Sequence, residues 1–373
     1  MRSRNVIITG SSGLIGSEAV RLFDSFGYQV HGVDNNSRAR FFGRDGDTTW
    51  NLASLQENTV AFTHHDLDIR DAAAVQRLVS EVNPDYVLHC AAQPAHEYAR
   101  KHPLIDFHVN VTGTLNLLEA CRKICPEAPF VFCSTSKVYG PVNDIPYVES
   151  PTRFEFAPGM RSEFPLSGRS PKGWSFDGIT EVFPLEPGEG RGIYSSGKAA
   201  ADLLVQEYGI SYGMPTVCLR GNCMTGSSHS AAELHGFLAY LARCLMEGRT
   251  YNIFGYKGKH VRDNIHAFDY VTAMYMVCIS PPDPGTVYNL GGGRGNSVSL
   301  LEAIEMLEGI AGRRLDTHYV EQHRPGDHRI YISDDTKFRK DYPGWGIKWS
   351  LPKICEDLVN GFTAQERTAA GRG

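Results

Sequence analysis

Thr9-Gly10-Ser11-Ser12-Gly13-Leu14-Ile15-Gly16 decides the fold of this chain. The stretch follows the apolar run 5–9 and opens a segment of helical period, so its glycines stand where a strand turns into a helix. Glycine there permits a tight turn, lets backbone N–H groups approach a pyrophosphate, and aims a helix N-terminus at that anion. The next apolar run, 29–33, ends in Val33-Asp34-Asn35, at the spacing of about 20 residues where a carboxylate binds a ribose 2′-hydroxyl. The same Asp34 repels a 2′-phosphate, so the pattern predicts NAD rather than NADP. Arg38 and Arg40 either compensate that repulsion or lie in a solvated loop. Gly10, Gly13, Leu14, Ile15, Gly16, Asp34 and Asn35 are the first cofactor candidates.

Outward from this turn, strand-like runs at 5–9, 29–33, 59–64, 86–90, 130–134, 216–219 and 287–290 alternate with helical stretches at 17–26, 72–81, 107–124, 195–208 and 268–279. Such alternation predicts an α/β fold, a Rossmann-type doubly wound parallel sheet covered on both faces, with a smaller mixed α/β substrate domain. Residues 1–222 read as the NAD-binding domain, with an insertion at about 141–178 rich in Pro, Gly, Ser and Arg. Residues 223–373 read mainly as the second domain, with 268–290 returning to the first, and 365–373 as a solvated tail. After the third strand comes Asp66-Leu67-Asp68-Ile69-Arg70-Asp71. Asp68 can bond an adenine amino group while Ile69 packs on the ring; alternatively Asp68 or Asp71 caps the following helix.

The 37 basic against 42 acidic residues give a net charge of −5 and no field that draws in nucleic acid. No apolar stretch approaches the roughly 20 residues of a membrane span. Nine cysteines lie scattered without paired C-x-x-C spacing and read as buried thiols of a reducing cytoplasm. The 14 histidines, among them His64, His65 and His229, form no metal-ligand pattern, so no metal is expected.

Tyr194-Ser195-Ser196-Gly197-Lys198 places Tyr and Lys four apart at the start of a helical pattern, on one face. For the phenol to act as a base near pH 7, its pKa of about 10 must fall by about three units, or about 4 kcal/mol. One positive charge about 4 Å away supplies about that much at an effective dielectric of about 20. Lys198 and an oxidised nicotinamide are both cationic, and Thr135, beyond another strand, can bond the reacting hydroxyl.

Together with the glycine turn, Asp34 and Asp68-Ile69, five further features complete a pattern. They are His89-Cys90-Ala91-Ala92-Gln93, Asn110, Thr135 with Tyr139-Gly140, Tyr194 with Lys198, and Asn222 with Arg262-Asp263-Asn264-Ile265-His266. This set resembles the extended short-chain dehydrogenase/reductases of the NAD-dependent epimerase/dehydratase family over nearly the whole chain. The resemblance implies Thr135, Tyr194 and Lys198 as catalytic residues, and adds Ala91, Ala92, Gln93 and Asn110 to the cofactor contacts. Members that dehydrate their substrate carry an Asp-Glu pair directly after the equivalent Thr; here Ser136 and Lys137 stand there, which disfavours elimination of water. Thr135-Ser136-Lys137-Val138-Tyr139-Gly140 instead resembles the Thr-Asn-Lys-Val-Tyr-Gly of CDP-paratose 2-epimerases.

By the same resemblance, Asn222 holds a diphosphate oxygen, Arg262 clamps the diphosphate, and Arg324 with Asp327 approaches the nucleotide. Arg262 and Arg324 otherwise read as ion pairs with Asp263 and Asp327. Gln93, Thr135, Ser136 and His235 complete the substrate candidates; His235 either touches the nucleotide or begins a helix. The function implied is epimerisation of a nucleotide-diphosphate sugar by transient oxidation, with a CDP-sugar 2-epimerase foremost. A 4-epimerase, a net oxidoreductase or decarboxylase, and a non-catalytic dinucleotide binder are the alternatives. The resemblance also implies a homodimer paired through helices around 110–124 and 195–208.

Overall fold

The computed structural model describes residues 4–140, 142, 145–157, 173–188, 191–233, 235–323 and 327–370, the side chains of the last helix only to Thr363. The chain divides into two compact units. One comprises Met1–Val138, Gly192–Gly221 and Ala267–Tyr288; the other comprises Tyr139–Arg191, Asn222–His266 and Asn289–Gly373.

The first unit is built on a seven-stranded parallel sheet. Its strands are β1 (Asn5–Thr9), β2 (Gln29–Val33), β3 (Phe62–His65), β4 (Tyr86–His89), β5 (Phe130–Thr135), β8 (Thr216–Gly221) and β9 (Thr286–Leu290), the intervening β6 and β7 being Tyr147–Glu149 and Phe154–Phe156. The spatial order is β9-β8-β5-β4-β1-β2-β3. Val6, Ile7 and Ile8 are fully buried, as are Val87 and Leu88, because helices cover both faces and leave no solvent side for polar alternation. The chain leaves β1 toward β2 on one side and β4 lies on the other, which makes the β1–β4 crevice the switch point where ligands bind in open α/β sheets.

Local rules account for the helices. Asp71 caps the helix Ala72–Val82 by accepting from the Ala74 N–H at 3.0 Å, and Asn83, with φ 44°, ends it. Its Val75, Leu78, Val79 and Val82 are buried at helical spacing, each contributing about 1.5–3 kcal/mol. The stretch expected as one helix over 107–124 is interrupted. A short helix Pro103–Phe107 passes through one π turn, His108–Thr112, into the helix Gly113–Ile124. The catalytic-pattern helix runs Gly192–Tyr212, longer than the stretch 195–208 expected.

The second unit has its own core, where Leu238, Leu241, Cys244, Ile354, Leu358 and Leu307 meet from three helices: Phe237–Glu247, Leu300–Ala311 and Leu351–Ala370. Ser299 and Glu302 form a capping box at the start of the second of these. Its strands are short and paired in small sheets, so alternation within each is too brief to register as a sequence pattern. Two expectations change here. Residues 139–191, which enclose the stretch of about 141–178 expected as an insertion in the first domain, group with the second unit and contain an antiparallel hairpin, β6 with β7, Tyr147 opposite Phe156; residues 158–172 lie outside the described residues. The expected tail is instead helical as far as Ala370, because Ala-Gln-Glu-Arg-Thr-Ala-Ala extends an already nucleated helix at little cost.

Candidate active site

The glycine turn is closed by contact. Gly10 has φ +69°, and a Cβ there would stand 2.8 Å from the Ala91 nitrogen; a Cβ on Gly16 would stand 2.0 Å from the Gly10 carbonyl oxygen. Gly13 precedes the helix Leu14–Ser25 in an extended conformation with no side-chain cap. The first N–H groups of that helix, at Leu14 and Ile15 among others, are therefore left for an outside acceptor. The hydroxyls of Ser11 and Ser12 are buried without a hydrogen-bond partner. Orphaned donors around a cradle that side chains would fill fit a dinucleotide pyrophosphate.

Asp34 stands at the end of β2 and accepts from the Asn36 N–H at 2.8 Å. Burial raises its pKa, against the pull of its backbone hydrogen bonds. Burial also lowers Arg38 to about 10, although Asp34 opposes this. Asp68 holds Arg70 through 2.6 and 2.9 Å bonds and accepts from Asn35 at 3.2 Å; hydrogen bonding to Arg70 is the main cause of its lowered pKa. The helix cap falls to Asp71, while Ile69 is buried against Gly113.

Beyond β4, the Ala91 N–H donates to Thr9 Oγ1 at 3.1 Å, and Ala92 follows it in the loop. Gln93 is fully buried with its amide turned inward: Nε2 donates to Asp106 and to the Ala95 carbonyl, and Oε1 accepts from the Ala95 N–H. That geometry makes Gln93 a strut of the loop. Asn110, inside the π turn, exchanges bonds with both backbone groups of Gln93 and donates to Asp106 at 2.9 Å.

Tyr194 and Lys198 project from the first turns of the Gly192–Tyr212 helix, both buried. Thr135, at the end of β5, is hydrogen-bonded to Tyr194 and lowers its pKa. Burial raises the phenol by more than this, and Cys133 and Asp106 push the same way. The Lys198 ammonium donates to the Cys133 carbonyl at 2.9 Å and lies 4.0 Å from the Phe132 ring centroid. Its pKa is lowered by burial, with Cys133 and Asp202 opposing. Ser136 is buried directly after Thr135.

Two residues of this cluster were not singled out from the sequence. The His96 ring packs 4.5 Å from that of Tyr194. Asp106 is fully buried, and burial raises its carboxyl to about 6. The signal for Asp106 was its spacing, four before Asn110, inside the otherwise apolar Pro103-Leu104-Ile105-Asp106-Phe107.

In the second unit Asn222 donates its amide to Asp263, which is fully buried and also accepts from the Ser333 and Gly293 N–H groups. Asp263 is thus committed to Asn222, and Arg262 pairs with Asp327, not with Asp263 as the ion-pair reading had it. Arg262 also donates to the Val261 carbonyl and is largely buried. His235 Nδ1 lies 3.4 Å from His229 Nε2. Arg324 lies outside the described residues. Among the described residues no cluster of His, Cys, Asp or Glu is arranged to hold a metal ion, and no helix is long and apolar enough to cross a membrane.

Comparison with known proteins agrees with this chemistry. The model of the NAD dependent epimerase/dehydratase family matches residues 6–162 and 171–291. The CDP-paratose 2-epimerase of Salmonella typhi is 30% identical over 94% of this chain and 95% of its own length. The dTDP-glucose 4,6-dehydratase of Shigella flexneri is 29% identical over 91% of this chain and 87% of its own. The crystal structure of Thermus thermophilus UDP-glucose 4-epimerase in complex with NAD is 26% identical. It superposes with a TM-score of 0.74 over 96% of this chain and 99% of that one.

Proposed function

This chain belongs to the NAD-dependent epimerase/dehydratase family, and from that premise we propose that it epimerises a nucleotide-diphosphate sugar, a CDP-sugar at C-2 foremost. The observation that carries the reading is Thr135 hydrogen-bonded to Tyr194 and followed by Ser136 and Lys137, where a dehydratase needs an acid and a base. The cofactor is NAD, as in the family; when bound, it supplies reversible hydride acceptance and a positive charge.

Tyr194 takes the proton of the sugar hydroxyl and returns it at the end of the cycle. Thr135 orients that hydroxyl, and Lys198 favours the anionic form of the phenol, against the desolvation that otherwise keeps it protonated. The sugar is oxidised to a ketone and reduced again on its opposite face. Asn222, Arg262, Arg324, Asp327 and His235 are assigned to the nucleotide-diphosphate end. The Arg262 guanidinium suits a bidentate oxyanion better than an ammonium would.

Inversion at C-4 is the second reading, supported by the likeness to a UDP-glucose 4-epimerase. A homodimer is supported by Leu203 and Ile210, 52% and 70% exposed and seven residues apart on one helix face. None of the nine cysteines is joined in a disulfide, which suits a reducing cytoplasm.

The test incubates purified protein with CDP-, UDP-, GDP- and dTDP-sugars in ordinary and deuterated water and follows stereochemistry by NMR. Inversion with the original hydrogen kept on its carbon is expected. Net consumption of NAD without inversion, or solvent deuterium at the inverted carbon, would overturn the reading.

A further inference from the structure

Asp106 is a buried carboxyl whose two oxygens have different surroundings. Oδ1 accepts from Gln93 Nε2 and Asn110 Nδ2, each at 2.9 Å. Oδ2 is buried with no hydrogen-bond partner and lies against Gly197, where a Cβ would stand 2.6 Å from it. Gly197 sits between Tyr194 and Lys198 on the same helical turn. An alanine there would collide with the carboxylate, so the approach of Asp106 to the pair depends on that glycine.

A full negative charge so placed, with one oxygen unsolvated, is costly unless a cation faces it or a proton neutralises it. Lys198 is the cation that favours its ionised form. Of the remaining groups around it, Tyr194 faces it from the same helix, and Gln93 and Asn110 are neutral donors. His102 gives its carbonyl to the Asp106 N–H at 3.1 Å, and the His96 ring lies on Tyr194.

We propose that Asp106 is a positioning residue that sets the acidity of Tyr194. Its ionised carboxylate competes with the phenolate for the positive charge of Lys198, and its protonation releases that competition. The proposal rests on Tyr194 and Lys198 being the catalytic pair. Burial places the carboxyl near 6, so it changes charge just below neutrality, where a base must form and be quenched in each cycle.

Asp106→Asn removes the charge and keeps the acceptor oxygen. Asp106→Leu removes both, yet leaves Gln93 Nε2 on the Ala95 carbonyl and Asn110 Nδ2 on the Gln93 carbonyl. The primary readout is the phenolate absorbance of Tyr194, taken as the difference from Tyr194→Phe, titrated with and without added NAD. In both variants its midpoint is expected to move down by about one pH unit, as for loss of one nearby negative charge, with the acidic limb of turnover moving alike. A merely structural residue would lower kcat without moving either midpoint, and an unmoved or raised midpoint in a folded variant overturns the proposal.

Should neither variant fold, the ring resonance of 13C-tyrosine at position 194 in the unaltered protein decides. It is expected to shift with a midpoint near 6, and a flat profile overturns the proposal. The assignment of Tyr194 as base fails separately, if Tyr194→Phe retains turnover.

Discussion

The Ser12 N–H donates to Asp34 Oδ2 at 3.0 Å, tying the glycine turn to the end of β2. One carboxylate thus holds the glycine turn in place and stands where the proposed ribose contact would be made. Asp34→Ala should lower NAD affinity about 10- to 100-fold, the range for a lost hydrogen bond to a charged group. It should also narrow the preference over NADP, since Arg38 nearby remains cationic. Fluorescence titration with both dinucleotides measures this; unchanged NAD affinity would refute the role.

Gly13 and Gly16 belong to one motif but differ in what surrounds them. A Cβ at Gly13 would meet the Gly10 oxygen at 3.3 Å, one at Gly16 at 2.0 Å. Gly16→Ala should therefore destabilise the unit by about 1–3 kcal/mol through overpacking and abolish NAD binding. Gly13→Ala should cost less than about 1 kcal/mol. Thermal denaturation separates the two, and equal losses would show that the close approach is unimportant.

His89 is fully buried between Thr9 Oγ1, 2.7 Å from Nδ1, and Thr114 Oγ1, 2.9 Å from Nε2. Burial holds its pKa down to about 3, with Lys198 adding to the effect. The unfolded chain binds this proton below about 6.5, the folded protein only near 3, so stability falls with pH across that window. The loss amounts to about 1.4 kcal/mol per pH unit at most. His89→Gln should lose less stability than the parent between pH 6 and pH 4 in urea titrations. Parallel curves would mean that His89 charges freely in the folded state.

The geometry of the candidate cofactor half was legible because it is written locally. Gly10 to Gly16 and Asp34 are fixed by turn, helix and strand end, and the strands are continuous apolar runs because both sheet faces are covered. The remainder depends on contacts distant in sequence. Arg262 finds Asp327 across 65 positions, while adjacent Asp263 turns to Asn222, a choice no spacing rule contains. Asn110 sits in a π turn that the apolar period of 107–124 conceals, and such turns gather at functional sites. Asp106 escaped notice because one carboxylate in an apolar stretch becomes informative only once Gly197 is seen beside it.

Four residues beyond Lys198, Asp202 is fully buried and bonded to Arg220 at 2.6 and 3.1 Å, to Ser134 Oγ at 2.5 Å and to Gln206 at 2.6 Å. Through Arg220 and Ser134, Asp202 pins the helix that carries Tyr194 and Lys198 to β8 and β5. Asp202→Asn removes the negative charge that faces buried Arg220 and should cost about 3–5 kcal/mol, while Asp202→Leu with Arg220→Met should recover most of that. Asp202 also favours the charged form of Lys198, whose pKa burial has already lowered. Lys198 is cationic only below its pKa, so losing Asp202 moves the alkaline limit of activity to lower pH. The double variant should regain stability in urea and keep the displaced limit. An alkaline limb unmoved in folded Asp202→Asn would mean that the strut serves the fold alone.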